Sequence, residues 1–189
     1  MKMAKNSIHT VKYRRKREGR TNYKKRLELL KSGKPRLVIR RTNTGIIAQL
    51  VSYAPDGDNV LMTFHSKQLE AYGWSYSKKS IPSCYLAGLV IGSKMKDVVD
   101  DAIIDLGLQT PTSGTRLFSV AKGAIDAGLT IPCSEKAFPD ESRLRGEHIA
   151  NGADVLEPEA TSYKKNKLKL QDIPSTVDTV KDKILSSNR

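Results

Sequence analysis

Residues 36–65 read RLVIRRTNTGIIAQLVSYAPDGDNVLMTFH, and this stretch decides the fold class. Alternating apolar and polar side chains, bounded by turn-forming residues, are typical of β-strands. Short turns of the TNTG and PDGD kind join antiparallel neighbours. The sequence therefore predicts an antiparallel meander of three strands, Arg36–Arg41, Ile46–Tyr53 and Val60–His65.

The first of these strands has two unlike faces. Leu37 and Ile39 alternate with Arg36, Val38 and Arg40, so one face is apolar and the other is largely basic. We expect the apolar face to meet the core. We predict this strand at an edge of the sheet, where its arginines would extend the basic surface of the preceding residues.

Downstream of the meander, apolar segments of helical and strand length alternate. Residues 80–92 predict a helix that is buried nearly all round, with Gly88 and Gly92 allowing tight packing on the sheet. A strand after a helical crossover is expected to run parallel. The order βββαβαβ indicates an α/β domain with a mixed sheet, an antiparallel meander plus parallel strands, flanked by helices. Its later elements are a strand over Ala102–Leu106, a helix over Thr115–Ala127 and a brief strand over Leu129–Pro132.

The chain becomes polar towards its C-terminus. A short helix over Pro139–Ala150, capped by Asp140, closes the predicted domain. A small basic run covers residues 164–169, and a weak amphipathic helix over Thr176–Ser187 is expected to dock late or on a partner. We therefore predict a basic arm (1–20), an α/β globular domain (21–150) and a polar C-terminal extension (151–189).

The excess positive charge is concentrated at one end of the chain. Residues 1–41 contain 16 Lys and Arg and two acidic residues, whereas the net charge of all 189 residues is only +13. Like charges at this density repel one another and gain by meeting a polyanion, so nucleic acid is the expected partner. A solvated surface and an anionic membrane are the alternatives. Residues 1–19 contain few large apolar side chains, and we expect them to be disordered alone in water.

A helix is predicted from Thr21 to Ser32, with Thr21 or Asn22 as its N-cap. Tyr23, Leu27 and Leu30 fall on one stripe, which we expect to dock on the domain. Lysines on the opposite face would then meet phosphates or simply be solvated.

Three aromatic residues follow the meander. Tyr72, Trp74 and Tyr76 lie among lysines, an arrangement that allows stacking on unpaired bases. They could equally form a lid over the core. The two cysteines, Cys84 and Cys133, are far apart and indicate a reducing compartment without a disulfide framework.

One constellation suggests catalysis. Asp105 ends a predicted strand, where carboxylates can hold metal ions for phosphodiester hydrolysis. Asp101, Asp126 and Glu147 are possible further ligands, which would make the chain a Mg-dependent RNA-processing nuclease. The alternative is that Asp105 bonds the backbone near Gly107. The sequence contains no phosphate-binding loop, zinc-ligand spacing or hydrolase elbow.

Several runs resemble a known family. They are RRKREGRTNY (14–23), RLELLKSGKPRLV (26–38), YLAGL (85–89), LGL (106–108), PTSG (111–114), KGAIDAGLTIP (122–132) and RGEHIA (145–150). Together, over about residues 9–150, they resemble the archaeal and eukaryotic type of the large-subunit ribosomal protein L-eighteen family. Each run is weak alone, and their common order makes the resemblance specific.

The resemblance implies a structural constituent of the large ribosomal subunit. Such a protein binds 5S rRNA and mediates its attachment to the large-subunit rRNA in the central protuberance, beside ribosomal proteins of the L-five family. It has a ribonuclease-H-like domain without nuclease chemistry, needs no cofactor or metal, and is not an enzyme. The implied location is cytoplasmic, on the ribosome, with no membrane partner.

Charge and resemblance together predict the RNA contacts. Arginine forks pair with phosphates and lysines supply point charge, while unpaired bases are expected to stack on Tyr13 or Tyr23. Neutralising about six to ten phosphates would make binding strongly salt-dependent. The predicted RNA-binding residues are Lys12, Tyr13, Arg14, Arg15, Arg17, Arg20, Tyr23, Lys24, Arg26, Lys31, Lys34, Arg36, Arg40 and Arg41.

Overall fold

A computed structural model describes residues 10–153 and 168–187. Most of the predicted basic run over 164–169, and the start of the arm, lie outside these residues. Three short 3₁₀ helices, Ser66–Tyr72, Glu135–Ala137 and Leu170–Asp172, link the main elements. In chain order the main elements are α1 (Arg14–Arg17), α2 (Tyr23–Lys31), β1 (Arg36–Arg41), β2 (Ile46–Ala54), β3 (Gly57–His65), α3 (Ile81–Met95), β4 (Ile103–Asp105), α4 (Arg116–Asp126), α5 (Glu141–Arg145), α6 (Glu147–Asn151) and α7 (Ile173–Ser186).

The four strands form one mixed sheet in the order β3-β2-β1-β4. β1 pairs with β2 antiparallel and with β4 parallel, which confirms the predicted α/β class. The prediction that β1 is an edge strand is wrong, because the crossover through α3 returns β4 to its free side. The predicted strand over Leu129–Pro132 is reduced, among the described residues, to one bridge between Thr130 and Asp101. The ribonuclease-H-like name stays an expectation.

The two faces of β1 separate as its alternation predicts. Leu37 and Ile39 are fully buried in the core, where Leu50 of β2 and Phe64 of β3 join them. α3 covers this face and is itself buried over nearly its whole length, which its apolar composition requires. The opposite face of the sheet remains available for α2 and for the charged side chains of β1.

Glycines bring α3 and α4 into backbone contact. A Cβ at Gly88 would overlap the carbonyl oxygen of Val120, and a Cβ at Gly123 would overlap that of Tyr85. Tight packing at Gly88 and Gly92 was predicted correctly, but its partner is α4 and not the sheet. The helix pair therefore forms a layer that rests on the sheet through larger side chains of α3.

The aromatic segment after β3 belongs to the core. Trp74 is fully buried and Tyr76 is 5% exposed, with their ring centroids 5.4 Å apart. Trp74 donates its indole N–H to the carbonyl of Ser77 at 3.2 Å, and Tyr72 packs partly against the core. Stacking of Trp74 or Tyr76 on RNA bases is therefore excluded in this fold, and the lid interpretation holds.

The predicted helix over Pro139–Ala150 is broken into α5 and α6. Gly146 adopts a φ of 84° between them, a left-handed conformation that ends the first helix. Asp140 occupies the N-cap position of α5 without a capping hydrogen bond from its side chain, and Leu144 of α5 is buried. The break turns α6 so that it packs against the C-terminal segment.

The predicted C-terminal amphipathic helix is present as α7. Its apolar residues Val177, Val180 and Ile184 are buried against the domain, largely against α3. Arg145 of α5 adds an ion pair to Asp178 at 2.6 Å, although both side chains are about half exposed. In this structure α7 therefore docks on its own chain.

Candidate nucleic-acid interface

The described part of the basic arm, residues 10–20, is exposed along its whole length. α1 is a single helical turn of four Lys and Arg residues, none of them buried. Arg14 and Arg20 lie 3.9 and 3.3 Å from Glu18. Exposed ion pairs of this kind contribute at most ~1 kcal/mol, so a phosphate can replace the carboxylate. The cations of the arm are therefore accessible to a polyanion.

Two tyrosines join the arm to α2. The ring centroids of Tyr13 and Tyr23 lie 5.2 Å apart with an interplanar angle of 48°, a favourable tilted arrangement. Arg15 adds a second link by donating from Nε to Thr21 Oγ1 at 2.8 Å. Tyr13 is 72% exposed, so much of its ring surface remains open to an unpaired base.

Of the two predicted N-caps of α2, the structure uses Asn22. Its side-chain oxygen accepts the backbone N–H of Lys25 at 3.2 Å. The predicted apolar stripe docks only in part, because Tyr23 and Leu30 are half-buried but Leu27 is 56% exposed. Lys25, Arg26 and Leu29 line the space between α2 and the sheet together with Tyr23.

α2 is oriented by a network of three arginines and two aspartates. Arg26 donates from Nη2 to Asp58 Oδ1 at 2.8 Å, and the other oxygen of Asp58 lies 2.8 Å from Arg36 Nη2. Arg36 Nη1 donates to Asp105 Oδ2 at 2.9 Å. Arg40 completes the network. Its Nη2 donates to Asp105 Oδ1 at 3.0 Å, and its Nη1 donates to the carbonyl oxygen of Asp105 at 2.7 Å. The network connects α2 with β3, β1 and β4, so charge pairing sets the position of α2 on the sheet.

Both aspartates of the network are held in their ionised form. The hydrogen bond from Arg26 is the main cause that lowers the pKa of Asp58, against the opposing effect of burial. Burial is the strongest influence on Asp105 and favours protonation. The charge of Arg40 and the hydrogen bond from Gly107 N, at 2.8 Å, together with Arg36, outweigh it and lower the pKa of Asp105.

A cavity of about 710 Å³, the first cavity, lies between this network and the arm. Arg15 and Arg20 border it from the arm, Leu29 from α2 and Val38 from the sheet. Its cationic side chains near the sheet are paired with carboxylates, whereas those on the arm are accessible. The outer, arm side is therefore the part suited to phosphate.

The structure separates the predicted RNA-binding residues into two groups. Arg26, Arg36 and Arg40 face the network, and Arg36 is only 2% exposed, so a phosphate reaches its guanidinium only by displacing a carboxylate. Lys31 and Lys34 form exposed pairs with Glu28 and Asp101 at 2.9 and 2.5 Å. Tyr23 is half-buried, and the exposed predicted residues are Lys12, Tyr13, Arg14, Arg15, Arg17, Arg20, Lys24, Lys31, Lys34 and Arg41.

The carboxylates considered for metal-dependent hydrolysis are not brought together. Both carboxylate oxygens of Asp105 accept hydrogen bonds from arginines. The backbone N–H of Gly107 also donates to Asp105 Oδ1, which confirms the predicted bond between Asp105 and the backbone near Gly107. Asp101 pairs with Lys34, Asp126 with Lys122, and Glu147 with Arg145. Across residues 10–153 and 168–187, no three His, Cys, Asp or Glu side chains are grouped so that they could hold a metal ion.

Sequence reasoning missed a second basic cavity, lined by Arg116, Arg143 and His148 together with Arg41. These residues are far apart in sequence and do not form a charge run, so only the fold brings them together. The one local signal in the sequence is that Arg116 directly follows Thr115, which occupies the N-cap position of α4. In the described residues, no helix has the length and apolar character needed to cross a membrane.

The chain is similar in sequence to proteins of a known family. Residues 7–101 match the family described as "Ribosomal large subunit proteins 60S L5, and 50S L18". One relative, "Large ribosomal subunit protein uL18" of Korarchaeum cryptofilum (strain OPF8), is 48% identical over 160 residues. The alignment covers 84% of this chain and 82% of that protein.

Proposed function

Because the chain belongs to the family of large-subunit ribosomal proteins that contains 60S L5 and 50S L18, we propose that it binds 5S rRNA and helps attach it to the large-subunit rRNA in the central protuberance. It is a structural ribosomal protein, and its family is not a class of enzymes. Its place is the ribosome, with rRNA and other ribosomal proteins as partners. The L-five family is the neighbour we propose in the central protuberance.

The observation that carries this proposal is the row of exposed cations over residues 12–34. α1 presents its four basic side chains to solvent, and Lys24 continues the row on the exposed side of α2. Contacts of Lys and Arg with phosphates position a protein on RNA and supply most of the affinity. Tyr13 offers an aromatic surface for an unpaired base, which adds recognition of RNA shape.

The remainder of the chain, residues 42–189, is nearly neutral (+13 for the whole chain minus +14 for residues 1–41 gives −1) and acts as the platform for this row. The Arg26–Asp58 pair and the Tyr13–Tyr23 contact fix α2 and the adjoining, described part of the arm relative to the sheet. Fixing the cations before binding reduces the conformational entropy that is lost when RNA is bound. The platform therefore raises affinity without itself contacting every phosphate.

The test compares the full chain with a variant lacking residues 1–20. Binding to 5S rRNA and to large-subunit rRNA is measured between about 50 and 200 mM salt, the range over which phosphate contacts lose affinity steeply. We expect the truncated chain to lose most of its 5S rRNA affinity and to show a flatter salt dependence. A Lys94→Gln/Lys96→Gln variant removes two exposed charges near the C-terminal end of α3 and serves as the control. Unchanged 5S rRNA binding by the truncated chain would disprove the role of the arm.

A further inference from the structure

The second cavity, of about 710 Å³, lies where several elements end or begin. Arg41 closes β1 at this point, and α3 and α4 start here after Ser80 and Thr115. Arg143 of α5 and His148 of α6 complete the wall. The cavity is thus built by the folded domain, independently of the arm.

The charge of this cavity is of one sign. Three arginines, Arg41, Arg116 and Arg143, contribute to its wall, and the side chains that line it include no Asp or Glu. Within the described ranges none of the three forms an ion pair. Arg116 donates one hydrogen bond, from Nη1 to the carbonyl of Lys79 at 3.2 Å. Its other N–H groups have no hydrogen-bond partner among the described residues. This distinguishes the cavity from the first one, where carboxylates neutralise the arginines of the sheet.

The remaining lining suits phosphate oxygens and ribose rather than bases. Hydroxyl groups come from Ser80, Thr110, Thr112 and Thr115, and the lining contains no Phe, Tyr or Trp side chain, only the imidazole of His148. Thr115 does not cap α4, because its Oγ1 donates to the carbonyl of Thr112 at 2.8 Å. The first turns of α3 and α4 contain no acidic residue, so both helix dipoles add positive potential to that of the arginines.

We propose that the second cavity binds the sugar–phosphate backbone of rRNA, as a contact separate from the arm. Arg116 and Arg143 hold the phosphates, and Arg41 is the third cation of the lining. Leu108 and Gln109 line both cavities, so only the loop after β4 separates the two basic surfaces. An RNA strand leaving the arm side can therefore continue into the second cavity. This inference rests on the proposed rRNA binding and adds a second point of attachment to it.

The test uses the full chain with an Arg116→Gln/Arg143→Gln variant and the Lys94→Gln/Lys96→Gln control, which removes the same charge. Lys94 lies 13 residues beyond the start of α3, roughly 20 Å from the cavity at a rise of ~1.5 Å per residue. Salt-dependent binding to 5S rRNA and to large-subunit rRNA is measured for each. We expect the cavity variant to reduce the salt slope for one of the RNAs by about two, as loss of two phosphate contacts requires. The control should reduce it far less.

Three results would overturn the inference. If the wild-type chain binds neither RNA, the proposed function fails and the inference fails with it. If the wild type binds, the arm deletion weakens binding, and the cavity variant matches the control, then only the inference fails. If inorganic phosphate raises the melting temperature of the wild type but not of the cavity variant, while both bind rRNA equally, the cavity is a site for free phosphate. If the double variant melts at a lower temperature than wild type, the single variant Arg143→Gln replaces it, because that side chain is exposed. The expected change in the salt slope of rRNA binding is then about one.

Discussion

Arg36 and Asp105 form the central link between β1 and β4, with Arg36 Nη1 donating to Asp105 Oδ2 over 2.9 Å. The two side chains are 2% and 9% exposed, so water and salt hardly weaken the attraction within this ion pair. Buried charges are costly unless they are paired and hydrogen-bonded. The pair therefore fixes both strands, and through Asp58 it also fixes α2.

Replacing Asp105 should destabilise the fold. An Asp105→Asn variant leaves the guanidinium of Arg36 with only Asp58 as a counter-charge, and removing one partner of a buried pair costs about 3 kcal/mol. The free energy of unfolding from urea denaturation measures the effect. Asp101→Asn, which breaks the more exposed pair with Lys34, should cost less than ~1 kcal/mol. Equal losses in the two variants would contradict the central role of Asp105.

Acid should weaken the same network. The pKa values of Asp58 and Asp105 are lowered in the folded chain, so their contribution to stability is full above the unfolded pKa of ~3.9 and is lost as the pH falls through the folded values. The melting temperature should therefore drop below about pH 4. Asp105→Asn should show a smaller drop than wild type between neutral and acidic pH, and a parallel decline in both proteins would refute this account.

The close contact of α3 with α4 predicts a sensitive position at Gly88. A methyl group there would overlap the Val120 carbonyl, which belongs to a helix backbone and cannot rotate away. Gly88→Ala should lower the free energy of unfolding by about 3 kcal/mol, although alanine favours helices. The control is Lys94→Ala, an exposed site on the same helix, with an expected change within ~0.5 kcal/mol. A Gly88→Ala variant as stable as wild type would show that the helices can separate.

The two thiols should differ in reactivity. Cys84 is 1% exposed, and burial raises its pKa to about 12, whereas Cys133 is partly exposed. Because the thiolate is the reactive form, an aromatic disulfide reagent at about pH 8 should label Cys133 in the native chain and Cys84 only after denaturation. Counting modified thiols by mass spectrometry before and after adding guanidinium checks this. Labelling of Cys84 under native conditions would mean that α3 opens readily.

Local patterns predicted the strands and their faces well. The alternation of Leu37 and Ile39 with Arg36 and Val38 is a property of neighbouring residues, and it survived in the fold. The carboxylate that pairs with the charged face of β1 could not be predicted from neighbouring residues, because Asp105 is 69 residues from Arg36 along the chain. The same limit applies to Gly88, where composition predicted close packing and the fold supplied α4 as the partner.

The candidate interface was predictable where it is a continuous charge run and not where it is assembled. Arg14, Arg15 and Arg17 are neighbours, and the structure leaves them exposed as charge density suggests. Arg26 and Arg36 look equally basic in the sequence, but carboxylates from distant strands neutralise them. Arg116 and Arg143 show the reverse case, because isolated residues meet in a cavity that has no acidic side chain in its lining.

The separation of Arg36 from Asp105 also has a consequence for synthesis of the chain. The ribosome makes proteins from the N-terminus at about 5–20 residues per second, so the arginine precedes its carboxylate by roughly 3–14 seconds. During that interval Arg36 has only Asp58, 22 residues further along the chain, as a carboxylate partner, next to a particle composed largely of RNA. Folding of this chain therefore includes a stage in which its arginines are less selective than in the finished protein. Completion of β4 ends that stage.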